Sequence, residues 1–415
     1  MKHLHNEIDG TRLLVTMPWG IGDAIVVGLS AVDQIRRNDP AGNVEIDVLC
    51  NQTQVEILQE DPRIHHLIQV DKKLFPTNEP GTWKRGLFLP PETRKLVEYL
   101  RSQNYAAVLT FMFAPVFFYR LHTPVLFLNL KQVVQLISTL RKYDDMPIQK
   151  IIRLSINKFF GVKEPEPSAG ETIPLYICPE HVQQARQEAG YMKERATVPP
   201  EQSKLLLVAP DTSSVITRPP THLLADGIAA ALKMDQNLVV SILPGYTDEQ
   251  ASERLLNALA PSFPGRVFAM PAQPKHKLLE LAALIDQCDI FVTGDTSVMH
   301  LAAATKKIAQ PASQELSPRN TVKIIALFGG THPGLHGYCE RTIILGRGRK
   351  EQARFTPGVA KDLFNPKGRD LFDHIDPQQL TDAIISPGIG NTTSRQAVRQ
   401  VMTGGLFNTA RRVSL

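Results

Sequence analysis

Phe291-Val292-Thr293-Gly294-Asp295-Thr296-Ser297-Val298-Met299-His300-Leu301-Ala302-Ala303-Ala304 opens as a buried strand, passes through a small polar turn and continues as an apolar helix. Asp295, Thr296 and Ser297 are residue types that cap helix N-termini. The unpaired N–H groups of the first helical turn, with their partial positive charge, therefore face whatever lies beyond the strand end, and such a junction suits a phosphate. His300 falls about one turn further along, on a neighbouring helical face. The same arrangement recurs near the N-terminus. Leu13-Leu14-Val15-Thr16 runs into Pro18-Trp19-Gly20-Ile21-Gly22-Asp23-Ala24 and then into an apolar helical stretch. Two strand-loop-helix sites predict two facing half-domains.

The 415-residue chain is too long for one ordinary core and fits two α/β domains of roughly 150 to 200 residues. Its formal charge of +5 suits a polyanionic ligand or an anionic membrane surface, but no nucleic-acid reader motif is present. Cys50, Cys178, Cys288 and Cys339 are scattered with no metal-ligand spacing, which predicts reduced structural thiols and no metal site. The polar run Met1 to Arg12 is no signal peptide. The apolar stretch Tyr105 to Phe118 is broken by Pro115 and falls short of the roughly 20 residues a spanning helix needs. The expected location is cytoplasmic, with peripheral contact at the inner membrane face as an open alternative.

Short β-branched runs alternate with helical patterns in both halves, the signature of βαβ units and parallel sheets. Strands are expected at Arg12–Thr16, Val44–Cys50, His66–Val70 and Ala106–Phe111, with helices at Ala24–Asn38 and Pro91–Ser102. Glu164–Gly170 reads as a loop, and the polar, charged segment Gln187–Ser203 reads as the boundary between domains. Beyond it the expected order is strand 204–209, helix 223–232, strand 238–243, helix 248–259, strand 267–270, helix 278–288, strand 290–293, the helix carrying His300, and strand 324–328. Lys306–Lys323 is polar and longer than a usual connection, and reads as a surface insertion. In open α/β sheets ligands bind outside the carboxyl ends of the strands, so the loops there should converge on one crevice.

Three motifs follow one another in order: Gly20-Ile21-Gly22-Asp23, Asp295-Thr296-Ser297-Val298-Met299-His300, and Phe328-Gly329-Gly330-Thr331-His332-Pro333-Gly334. Together they resemble glycosyltransferase family nine, the ADP-heptose:lipopolysaccharide heptosyltransferases, over roughly residues 12 to 380. The resemblance implies a GT-B architecture: two Rossmann-like, doubly wound parallel-sheet domains facing a cleft. Residues 1–190 would then bind the acceptor and 200–390 the nucleotide-sugar, with 391–415 a partly flexible tail. It also implies a metal-independent, inverting transferase, in keeping with the absence of an Asp-x-Asp pair. The donor would be a nucleoside-diphospho-sugar, with ADP-heptose as one candidate, and no further cofactor is implied. The acceptor would be a glycan, a lipid-linked glycan or a protein, and nucleic acid is not an expected partner.

An inverting transfer needs a base for the acceptor hydroxyl, and Asp23 is the candidate, with Gly20 and Gly22 permitting a tight acceptor loop. Capping of the helix at Ala24 is the competing role for Asp23. The departing diphosphate needs preorganised donors. Thr296 and Ser297 form one set, and Asp211-Thr212-Ser213-Ser214 followed by Arg218 forms a second. Asp295 and His300 are expected at the donor, and Asp248 or Glu249 at the nucleotide ribose. Phe111, Phe113, Phe117, Phe118 and Phe127, with Lys131, Arg141, Lys142, Lys150, Arg153, Lys158 and Lys163, make a hydrophobic and basic stretch. That mixture suits either an anionic lipid surface or a core with a solvated basic face. Two other classes compete: a nicotinamide-dependent oxidoreductase, which the missing third glycine after Gly20-Ile21-Gly22 disfavours, and a catalytically inactive sugar-nucleotide-binding scaffold.

Overall fold

Strands that carry apolar side chains on both faces need helices on both sides, and this is how the chain folds. The computed structural model describes residues 11–18, 20–71, 91–110, 125–127, 148–162, 172–272, 276–309, 316–329, 341–346 and 371–387. The chain divides into two units. One comprises Met1–Pro179, Lys277–Leu279 and Ala304–Ser317; the other comprises Glu180–His276, Glu280–Ala303 and Pro318–Leu415.

The first unit begins with β1 (Arg12–Thr16), α1 (Ile21–Asp23), a π-helical run at Ala24–Leu29 and α2 (Ser30–Asn38). It continues with β2 (Glu45–Cys50), α3 (Gln52–Leu58), β3 (His66–Gln69), α4 (Pro91–Ser102), β4 (Ala107–Thr110), β5 (Val125–Phe127), α5 (Ile148–Phe160) and β6 (Pro174–Ile177). The sheet order is β3-β2-β1-β4-β5, with every pair parallel. Leu14, Leu49, Ile68, Val97, Leu100 and Val108 form part of its core. On α2, Asp33 is buried and offset by three cations: Arg63 at 2.9 Å, Arg153 at 3.0 Å and Arg37 at 3.0 Å. Arg153 is 1% exposed. It ties α5 to α2 and belongs neither to a solvated basic face nor to a lipid-facing one, because a buried guanidinium persists only when its charge is paired. In the same stretch Lys158 is exposed and Lys150 half-buried. The phenylalanines 111, 113, 117 and 118, and Lys131, Arg141, Lys142 and Lys163, lie outside the described residues.

The second unit runs through α6 (Pro179–Glu194), β7 (Lys204–Ala209), α7 (Thr221–Met234), β8 (Leu238–Ile242), α8 (Ala251–Leu259), β9 (Val267–Ala269), α9 (Leu278–Gln287), β10 (Ile290–Gly294) and α10 (Ser297–Ala303). β11 (Thr305–Ile308) belongs to the first unit, and the second resumes with β12 (Lys323–Phe328), β13 (Thr342–Gly346) and α11 (Pro377–Ile385). The parallel sheet has the order β13-β12-β10-β7-β8-β9. All five residues of β8 and of β10, and all six of β12, are buried, as a sheet covered on both faces requires. Leu206, Val208, Val240, Val292 and Ile325 pack there with Leu224 and Ile228 of α7 and Leu380 and Ile384 of α11.

Two expectations about connections are corrected. Gln187 onward is helical as far as Glu194, because Val182, Ala185, Ala189 and Met192 give α6 a buried stripe at helical spacing. The segment from Lys306 is not all surface insertion: Thr305–Ile308 is strand β11, paired in parallel with β6 in the first unit. Lys306 within it is 1% exposed. Further on, the backbone N–H groups of Arg319 and Asn320 donate to the two oxygens of Asp286 at 2.7 and 2.8 Å. Residues 164–170, 310–315, 330–340 and 391–415, and with them the expected loop, most of the third glycine-rich motif and the tail, lie outside the described residues. No described helix is long and apolar enough to cross a membrane. Cys50 and Cys288 are buried, and burial pushes both thiols up, Cys50 to about 12, so neither is a ready thiolate.

Lys323 begins β12 and donates from Nζ to the carbonyls of Ile384 and Ser386, both at 2.6 Å, at the C-terminal end of α11. Burial, assisted by repulsion from Lys204, lowers its pKa to about 8. Between pH 8 and the ordinary lysine range the unfolded chain binds more protons than the folded one, so folding stability from this group rises with pH across that window. Urea denaturation of the parent chain and Lys323→Met from pH 7.5 to 10 should show the parent gaining on the variant as pH rises. A constant difference would contradict the linkage.

Candidate active site

The carboxyl ends of β7, β8 and β10 carry the candidate donor residues. From β7 the chain order steps through β8 and β9 on one side, and from β10 through β12 and β13 on the other. The sheet therefore reverses between β7 and β10, at the switch point where open α/β sheets leave a crevice. The loop after β7 folds on its own hydroxyls. Thr212 Oγ1 donates to the Ser214 carbonyl at 2.7 Å and lies 2.9 Å from Thr217 Oγ1, and Thr217 N–H donates to the Ser214 carbonyl at 3.1 Å. Gly294 closes β10 onto that loop. A Cβ there would stand 2.3 Å from the Thr217 carbonyl oxygen, 2.9 Å from Pro219 Cδ and 3.1 Å from Thr212 Cγ2. Only glycine lets the two strand ends approach this closely, and the approach puts Asp295, Thr296 and Ser297 beside residues 212–219.

The loop after β8 joins them through Asp211. Its Oδ2 accepts the backbone N–H groups of Tyr246, Thr247 and Asp248 at 2.9, 2.6 and 2.8 Å. Thr247 Oγ1 donates to the same oxygen at 3.0 Å and lies 2.8 Å from the Thr212 carbonyl. Arg218 Nε stands 2.7 Å from Asp211 Oδ1. Burial opposes ionisation of Asp211, but the N–H groups of Asp248 and Thr247 outweigh it and hold the carboxyl below the usual range. Asp211 is an acceptor within a run that the sequence reading takes as donors. Thr247 has no role in that reading. The only signal for either is a carboxylate placed directly after an apolar strand.

Arg218 is largely committed. Besides its ion pair with Asp211 it donates to Asp248 Oδ2 at 3.3 Å, the Thr212 carbonyl at 3.3 Å and Thr247 Oγ1 at 2.9 Å. Asp248 also pairs with Arg254, and the hydrogen bond from Arg254 is the first cause holding its carboxyl below the usual range. Ser213 and Glu249 are exposed, while Asp295, Thr296 and Ser297 are half-buried at the start of α10. His300 is 6% exposed, within α10. The sequence-derived donor set is thus brought to one end of one sheet, but the hydroxyl of Thr212 is spent on its own loop.

In the first unit the reversal lies between β1 and β4, and Asp23 follows β1. Thr16 Oγ1 donates to Thr110 Oγ1 at 2.8 Å across that pair of strands. The helix starts at Ile21 with Gly20 as its N-cap, and Asp23, exposed in the first turn, makes no capping hydrogen bond with its side chain. A Cβ on Gly20 would lie 2.9 Å from Asp23 Oδ2, so the glycine leaves room for the carboxylate to fold back over the loop. Gly22 is the half-buried residue before it. The π-helical run that follows is a geometry frequently found at functional sites. It packs closely, with a Cβ at Gly28 falling 2.0 Å from Met17 Sδ. No group of residues able to hold a metal occurs among the described residues.

Residues 173–311 match the family model for glycosyltransferase family 9 (heptosyltransferase). The resemblance to family nine holds, and the chain is a glycosyltransferase. The matched span contains the loops after β7, β8 and β10 and begins well after the Asp23 loop. Among solved structures, the family-nine glycosyltransferase of Veillonella parvula is similar at 18% identity and a TM-score of 0.62, over 91% of this glycosyltransferase and 97% of that chain. The E. coli ADP-heptose lps heptosyltransferase II aligns at 16% identity and a TM-score of 0.55, over 86% and 98%. The E. coli heptosyltransferase WaaC with ADP aligns at 17% and 0.54, over 86% and 99%. These likenesses establish the fold. No curated protein matches the sequence.

Glycines in this transferase separate close approach from mere flexibility. A Cβ on Gly245 would lie 1.8 Å from the Asp248 carbonyl oxygen, whereas one on Gly190, in α6, would meet nothing within 4 Å. Gly245→Ala should cost about 1–3 kcal/mol of unfolding free energy, while Gly190→Ala should be neutral or stabilising by up to about 1 kcal/mol. Chemical denaturation of both variants checks the contrast.

Proposed function

We propose that this glycosyltransferase moves a sugar from a nucleoside-diphosphate donor, of the ADP-heptose class, to a glycan or lipid-linked acceptor, inverting the anomeric centre without a metal ion. The observation that carries the reading is the junction at Gly294, where the loop after β7 and the start of α10 meet at the sheet's switch point. A diphosphate there meets the amide N–H groups at the start of α10 and the hydroxyls of Thr296, Ser297 and Ser213. Those groups stabilise the charge that grows on the leaving diphosphate. Arg218 acts on it as a fixed positive charge, and Asp248 or Glu249 takes the ribose. Asp295 and His300 support the donor end. Support for the ADP-heptose class comes from the E. coli proteins similar in fold, one an ADP-heptose lps heptosyltransferase and one a heptosyltransferase with ADP.

Asp23 is assigned as the general base. The acceptor oxygen attacks the anomeric carbon as its proton passes to the Asp23 carboxylate, and the C–O bond to the diphosphate breaks with its electron pair leaving on the phosphate oxygen. Exposure of Asp23 and the absence of a capping bond from its side chain favour this assignment over a cap. The acceptor side of the reaction falls to the first unit and the donor side to the second.

Calorimetric titration of the full chain with ADP, GDP and UDP in EDTA should show one of them binding in the micromolar range. Asp23→Asn should keep that affinity within about twofold and lose transfer from the matching sugar nucleotide to a core oligosaccharide by at least about a hundredfold. If no diphosphate binds without metal, or if Asp23→Asn transfers as well as the parent, the reading fails.

A further inference from the structure

Three successive amide N–H groups, those of Tyr246, Thr247 and Asp248, converge on one oxygen of Asp211. Backbone N–H groups converging in this way form a concavity that ordinarily collects an anion. Here the anion is the protein's own carboxylate. Its other oxygen accepts the N–H of Thr212 at 2.8 Å and faces Arg218 Nε at 2.7 Å. Every partner of Asp211 named here lies either on the loop after β7, which borders the switch-point crevice, or on the neighbouring loop after β8. The cost of burying a carboxylate is therefore offset by bonds that fix loop against loop. Arg218 is held in the same way, through Asp211, Asp248, Thr212 and Thr247, so four of its contacts are made within the protein itself.

We propose that Asp211 is a positioning residue for nucleotide binding: it locks the loop after β8 and the Arg218 guanidinium against the loop after β7, so that the nucleotide meets a preformed rim. The inference rests on the donor reading above. It assigns the rim's rigidity to one carboxylate. It also makes Arg218 a charge held at fixed distance, with Asp248 retained by Arg254 on its far side. Ordering these loops before binding spares the nucleotide the entropic cost of ordering them itself.

The test titrates parent, Asp211→Asn, Asp211→Glu, Arg218→Gln and the Asp211→Asn/Arg218→Gln double variant, all as full chains, with ADP, GDP and UDP in EDTA. Amide exchange at residues 246–248 is followed without nucleotide. Asp211→Asn should weaken the best diphosphate about tenfold and speed exchange at the three amides, while Asp211→Glu, which keeps the charge, recovers at least part of the affinity. The Asp211→Asn loss should shrink in the Arg218→Gln background, because the two side chains act as one unit. The proposal is overturned if Asp211→Asn binds and exchanges as the parent does, or if the two losses simply add. Should Asp211→Asn not fold, Thr247→Val, which removes one hydroxyl from the same carboxylate, must still weaken binding and speed exchange for the proposal to stand. A parent chain that binds no diphosphate overturns the donor reading instead, and normal exchange protection in that chain would identify this as the cause.

Discussion

The close approach of β10 to the loop after β7, with Gly294 against the Thr217 carbonyl, is the constraint on which the proposed donor site depends. Parallel strands need long crossovers, and a sheet built outward in two directions from its centre leaves one gap that no crossover covers. In the second unit that gap falls between β7 and β10. A side chain at position 294 would hold the two strand ends apart and separate the hydroxyls of residues 212–217 from the first turn of α10. The same logic operates in the first unit between β1 and β4, where Gly20 makes room for the Asp23 carboxylate.

Buried charge is handled in the same manner in both units. Asp33 has Arg37, Arg63 and Arg153 around it, so α2, α5 and the turn before β3 share one ionic cluster. Asp211 has Arg218 and four backbone N–H groups. In each case a carboxylate removed from water is satisfied by several partners at once, which is the condition under which a buried ion is tolerated. The difference lies in what is joined. Asp33 joins helices of a packed core, whereas Asp211 joins loops at the rim of a crevice.

A metal-free route to diphosphate departure needs fixed dipoles and hydroxyls where another enzyme would place a cation. The second unit supplies the start of α10 and a hydroxyl-rich turn, but the Arg218 guanidinium is already shared between Asp211 and Asp248. On the proposed reading, backbone N–H groups, which cannot rotate away and need no reorganisation when charge appears, would supply much of the stabilisation of the leaving group.

How far the sequence could be read follows from the range of the interactions involved. Strand β7 and helix α4 fall on the residues the hydrophobic pattern marks, 204–209 and 91–102, because burial on one or two faces is written directly into residue spacing. The family-nine motifs were legible for a related reason: turn glycines and N-cap residues act within a few positions of one another. Long-range pairing left no such trace. Nothing local in Lys306 says that it becomes a buried strand beside β6, and nothing in Arg153 says that its partner is Asp33, 120 positions earlier. By itself the sequence determined the doubly wound class, the main alternation of strands and helices in each half and the residue types at the strand ends it marked. Only the tertiary structure decided that Thr212 turns inward, that Arg218 is tied down and that Asp211 gathers the β8 loop, since each depends on which strand lies beside which, and that is settled when the whole sheet closes around its core.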